Sequence, residues 1–127
     1  MMIIDHIRDY EEFKRLYDER PMPSPYNYEW LINNPHLYCF YEDNKLLGFI
    51  TIQNENDGEL TLSGVSIPKN MSNVITAIIT VCDSFDDDIY SYTPLKHAGL
   101  VLKKAGFKKL EKNKYVRYKQ NGKKQCT

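Results

Sequence analysis

Residues 93–107, TPLKHAGLVLKKAGF, constrain this chain more than any other stretch, because a short amphipathic helix there ends on a glycine directly before an aromatic. Ala98, Val101, Leu102 and Ala105 recur at helical spacing, which gives the segment one apolar stripe to bury. Lys103 and Lys104 fall in the last turn, where they complement the helix dipole, and Gly106 is placed to adopt the left-handed cap. Phe107 and Leu110 then alternate with lysines, and Asn113 with Lys114 turns the chain into the β-rich run Tyr115, Val116, Arg117, Tyr118. The chain therefore ends as helix, strand, turn, strand.

Upstream, Met2 to Ile7 reads as a strand and Asp9 as the cap of a helix over YEEFKRLYDE, with Phe13, Leu16 and Tyr17 inward. Pro21, Pro23 and Pro25 break the chain before a second helix around Tyr28 to Asn33, anchored by Trp30 and Leu31 and stopped by Asn34 and Pro35. LYCFYE and KLLGFITIQ form a hairpin about Asp43 and Asn44, with Gly48 marking a bulge or a close backbone approach. NENDG leads to a further strand, ELTLSGVSI, ended by Pro68. Ser72 then caps a helix whose Val74, Ile75, Ile78, Ile79 and Cys82 make a broad apolar face, and DIYSYT is the next strand.

With 127 residues, 42% of them hydrophobic, the chain supports one domain with a core and is too short for two. Residues 1–119 are read as that domain and residues 120–127 as a basic, disordered tail. No apolar run approaches the roughly 20 residues that span a bilayer, and the start lacks the pattern of a signal peptide, so a cytoplasmic protein with no membrane partner is expected. Cys39, Cys82 and Cys126 form no metal-ligand cluster, and the Asp83, Asp86, Asp87, Asp88 run lacks the spacing and glycine of a calcium loop, so no metal is expected. Net charge is zero, yet from Lys96 onward eleven lysines and arginines face the single acid Glu111. Such a face can steer an acidic partner or a polyanion, and Tyr115 and Tyr118 interleave with its lysines as in single-strand nucleic-acid binders, although hairpins favour tyrosine for their own reasons.

The order strand, two helices, three antiparallel strands, helix, strand, helix, two strands resembles the GNAT superfamily of acyl-CoA N-acyltransferases over nearly the whole chain. EDNKLLGFI is similar to that family's second and third strands, ELTLSGVSIP to its fourth, and KHAGLVLKKAGF to its fourth helix, with Ala98, Gly106 and Phe107 matching. The resemblance implies an α+β fold in α/β/α layers around a mostly antiparallel sheet, ordered β1-α1-α2-β2-β3-β4-α3-β5-α4-β6-β7. Another small α+β domain with an antiparallel sheet is the alternative. The resemblance further implies acetyl-CoA as a cofactor, bound by the backbone of Val65 and Ile67, by Lys69, and by the helix start at Ser72, Asn73 and Val74.

Two departures bear on activity. The family's Q/RxxGxG/A loop, whose glycines let amides approach a diphosphate, corresponds here to Lys69 through Ile75, which contain neither glycine nor arginine. The tyrosine that protonates the leaving thiolate in many members corresponds to Leu102, which carries no proton, and the motif's asparagine to Leu95. Glu59, Tyr92 and His97 are the substitute acid/base candidates, and Ser63 and Ser66 candidate ligand contacts. One of Tyr90 and Tyr92 is expected to reach the cleft between the fourth and fifth strands.

Two functions follow from the resemblance and its departures. One is a noncatalytic GNAT-fold module that binds a protein partner, similar to small GNAT-like proteins of tailed phages, some of them virion-associated. The other is an acetyl-CoA-dependent N-acetyltransferase in which a small amine or a protein amine attacks the thioester directly.

Overall fold

A computed structural model describes residues 2–20, 26–55, 58–66 and 71–119. Met1, the Pro21 to Pro25 loop, Asn56 and Asp57 of the NENDG turn, Ile67 to Asn70 and the 120–127 tail, with Cys126, lie outside the described residues. Eleven elements follow in the expected order: β1 (Met2–Asp5), α1 (Tyr10–Glu19), α2 (Tyr28–Asn33), β2 (Leu37–Glu42), β3 (Lys45–Glu55), β4 (Glu59–Ser66), α3 (Met71–Asp83), β5 (Ile89–Tyr92), α4 (Lys96–Lys104), β6 (Lys108–Glu111) and β7 (Lys114–Arg117). The strands make one sheet in the order β1-β2-β3-β4-β5-β7-β6. Only the β4–β5 pair is parallel.

Local chemistry accounts for the element ends. Asp9 Oδ1 accepts the Glu11 and Glu12 amides at 2.9 and 3.3 Å, and Asn27 Oδ1 accepts the Trp30 amide at 2.8 Å, so α1 and α2 each have a side-chain cap. Asp43 and Asn44 have φ of 52° and 63°, the pair of left-handed residues that a two-residue hairpin turn requires. Gly106 follows the C-cap of α4 with φ 98°, and the Phe107 amide returns to the Leu102 carbonyl at 3.0 Å. Two expectations shift. The helix α3 begins at Met71, so Ser72 lies within its first turn and is not its cap, and β1 ends at Asp5, where Arg8 binds the Asp5 carboxylate at 3.0 Å.

Each sheet face carries its own core. On one face α1 and α2 set Phe13, Leu16 and Leu31 against Leu37, Cys39, Tyr41, Leu46 and Phe49. On the other, α3 and α4 set Val74, Ala77, Ile78, Val81, Val101 and Leu102 against Phe40, Ile50, Ile52, Leu62, Ile89 and Tyr115. The strand β3 changes parity midway, because Phe40 pairs with Gly48 and Tyr41 with Leu46, leaving Leu47 as an extra residue. This bulge beside Gly48 lets Leu46 and Phe49 share one face while Leu47 and Ile50 share the other. Burying a side chain such as Phe13 or Phe49 contributes about 1.5–3 kcal/mol each. Among the described residues no helix is long and apolar enough to cross a membrane.

Candidate functional site

The sheet opens between β4 and β5. These strands pair only at Leu60 with Ile89 and Thr61 with Tyr90, whereas β4 stays paired with β3 as far as Ser66. From Ser63 onward the β5-facing edge of β4 therefore has no ladder partner, and Gly64 is exposed there. At the vertex the Ser91 hydroxyl donates to the Leu62 carbonyl at 3.0 Å in a buried contact. The first backbone acceptor beyond the ladder is thus already taken.

On the α1/α2 face of this vertex stands a polar cluster. The Tyr92 hydroxyl donates to Glu59 Oε1, and Lys114 Nζ lies 3.6 Å from Glu59 Oε2. Lys114 also sits 5.1 and 5.6 Å from the ring centres of Tyr90 and Tyr92. The Glu59 carboxylate, as acceptor, holds the Tyr92 phenol above its usual value, with burial as a lesser cause. Lys114 is raised too, first through the Tyr92 hydroxyl and then through the charge of Glu59. Beside this cluster Gln53 Nε2 donates to Tyr26 Oη at 3.1 Å and to Ser63 Oγ at 3.2 Å, while Thr51 donates to Gln53 Oε1 at 2.9 Å. Thr61 Oγ1 is buried without a hydrogen-bond partner among the described residues.

Glu59 and Tyr92, chosen separately from the sequence, thus meet. His97 does not join them; it is exposed on α4. Tyr90 and Tyr92 are two apart on one strand, so they share a face, and the single Lys114 stacks over both, which corrects the expectation that the two are set apart with one toward the cleft and the other away from it. Ser63 contacts Gln53. Lys114 and Gln53 escaped the sequence reading because their parts depend on cross-strand register, Tyr92 against Lys114 and Gln53 beside Ser63, that no local pattern encodes.

The residues expected to hold a coenzyme are placed as follows. Val65 lies on β4 and Ile67 and Lys69 fall outside the described residues. Ser72 is exposed on the first turn of α3, and Val74 is buried in the α3/α4 core. Asn73 Nδ2 donates to Glu42 Oε2 at 2.7 Å, which brings a carboxylate of β2 against that first turn. The Glu42 carboxylate thus adds negative charge beside the first turn of α3, which a helix N-terminus favours. Leu102, 5% exposed, belongs to the core between α4, α3 and the sheet. Among the described residues no three His, Cys, Asp or Glu side chains gather as metal ligands would.

No protein-family model and no curated protein matches this sequence. Solved structures do match by shape. A GNAT-family acetyltransferase of Bacillus cereus is 17% identical, with TM-score 0.66, over 94% of this chain and 99% of that one. A chimera of the spermidine N-acetyltransferase SpeG from Vibrio cholerae and hSSAT is 13% identical, with TM-score 0.67, over 99% of each. The Campylobacter jejuni N-acetyltransferase PseH, solved with acetyl coenzyme A, is 14% identical, with TM-score 0.62, over 94% of this chain and 99% of that one. Element order, sheet order, the β4/β5 opening and these matches together give this chain the fold of the GNAT acetyltransferases.

Proposed function

We propose that this protein is a noncatalytic GNAT-fold module whose role is to bind another macromolecule. The observation that carries this reading is the burial of Leu102 in the α3/α4 core, at the position the resemblance gives to a proton donor. A leucine supplies no proton, and its packing leaves no neighbouring acid in its place. The glycine-free stretch Lys69 to Ile75 and the Glu42–Asn73 contact point the same way, since neither favours a diphosphate. The direct test is release of coenzyme A thiol from acetyl-CoA in the presence of spermidine and of peptides with free N-termini. The binding reading expects release no faster than without protein, and turnover with either amine would overturn it.

A second reading has its own support in the Glu59–Tyr92–Lys114 cluster at the strand opening. Under acyl transfer, Glu59 would take the proton lost by an attacking amine, with Tyr92 and Lys114 orienting its carboxylate. That reading requires Glu59→Gln to abolish turnover while leaving substrate affinity nearly unchanged.

A further inference from the structure

The last quarter of the domain combines charge with exposed apolar surface. Residues 96–119 carry nine lysines and arginines against Glu111 alone. Arg117 is buried against Asp83 and Lys114 is held by Glu59. The other seven, Lys96, Lys103, Lys104, Lys108, Lys109, Lys112 and Lys119, are exposed, and among the described residues none of their side chains has an ion-pair partner. Exposed large hydrophobics concentrate in the same region. Of the seven in the described residues, Leu95, Leu100 and Leu110 lie on or beside α4 and β6, whereas Tyr92 belongs to the Glu59 cluster on the other sheet face.

The two features coincide on α4. Leu100 is 57% exposed, and helical spacing surrounds it with Lys96 and His97 one turn before and Lys103 and Lys104 one turn after. The strand β6 extends this surface. Lys109 pairs with Tyr115, and Tyr115 packs its hydroxyl against Gly99 on the inner side of α4, so helix and edge strand form one continuous flank. Leu110, 48% exposed, stands on that edge strand.

We infer that the α4–β6 flank is a docking surface for an acidic protein segment that carries aliphatic side chains, seated on Leu100 within its ring of cations. The assignment rests on the binding reading above and names the chemistry of its partner. Charge complementarity selects an acidic occupant, and the exposed leucines select one with apolar groups to bury. A nucleic acid fits less well. Leucines offer no stacking face, the neighbouring Arg117 of β7 is buried, and Tyr115, one of the two tyrosines that pointed to single strands, is 6% exposed in the core.

The test uses the full chain and a fluorescent acidic peptide with glutamate and leucine at helical spacing, read by anisotropy. Saturable binding is expected, weakened about tenfold or more when the peptide's leucines become serine and, separately, by Leu100→Ser. A Lys103→Glu/Lys104→Glu variant is expected to lose binding, and Lys14→Glu, on α1, to retain it. Absence of saturable binding, or affinity unchanged in Leu100→Ser, would overturn the proposal. So would tighter binding of a single-stranded oligonucleotide or an anionic lipid vesicle that Leu100→Ser leaves intact. A parallel titration with acetyl-CoA separates the two readings. Failure of the peptide with no coenzyme binding removes this surface alone, whereas micromolar coenzyme binding removes the noncatalytic module.

Discussion

Replacing Leu102 with tyrosine introduces the side chain that the resemblance to the GNAT superfamily often implies there, and it asks whether the position is core or cleft. Leu102 is 5% exposed and shares its cluster with Leu62, Val74, Ile89 and Tyr115. Forcing a phenol ring into that packing costs about 1–3 kcal/mol in strain. Its hydroxyl, buried among aliphatic groups, costs roughly 1–3 kcal/mol more unless it finds a partner. The sum, about 2–6 kcal/mol, corresponds to roughly 3–5 °C in Tm for each kcal/mol in a domain of this size. Far-UV circular dichroism should therefore show Leu102→Tyr melting about 6 °C or more below the parent. Leu102→Ala, which leaves a cavity, is expected to lose about 2–5 kcal/mol in the same assay. A Leu102→Tyr protein that melts within about 2 °C of the parent would mean the position opens on free space, and the argument from core burial would fail.

Asp83→Asn is expected to cost about 1–2 kcal/mol, because Arg117 is buried beneath a carboxylate 2.5 Å away while Asp83 itself is half exposed and partly screened. Lys14→Ala, which removes one side of an exposed i,i+4 pair, should change stability by less than about 0.5 kcal/mol; urea midpoints of the two variants check the contrast. Burial pushes the Cys39 and Cys82 thiols up to about 12 from an ordinary value near 9. The unfolded chain therefore ionises these groups first as pH rises, and the stability they contribute is present below pH 9 and lost between there and about 12. Urea midpoints should fall from pH 8 to pH 10.5, and a rise would contradict the assignment. Neither thiol should react with a water-soluble disulfide reagent at pH 8 until denaturant is added.

Much of this fold was legible because its elements carry local signatures. Asp9, the Asp43–Asn44 turn and Gly106 each announce a boundary through backbone or capping chemistry, and each occupies that place. The amphipathic stripes of α1 and α4 point their named residues inward for the same reason. Long-range register was not legible. Nothing near Glu59 in sequence announces Tyr92 or Lys114, and nothing near Asn73 announces Glu42, because those meetings depend on how β4, β5, β7 and β2 align. The start of α3 was misplaced by two residues for a related reason, since Ser72 has the chemistry of a cap but the helix already begins at Met71.

The central claim is that the opening between β4 and β5 no longer serves a coenzyme. Calorimetric titration of the full chain with acetyl-CoA, with coenzyme A as a control, tests it most directly. The account predicts no saturable heat at millimolar ligand, and micromolar binding of either would contradict it and return this protein to the acyltransferases.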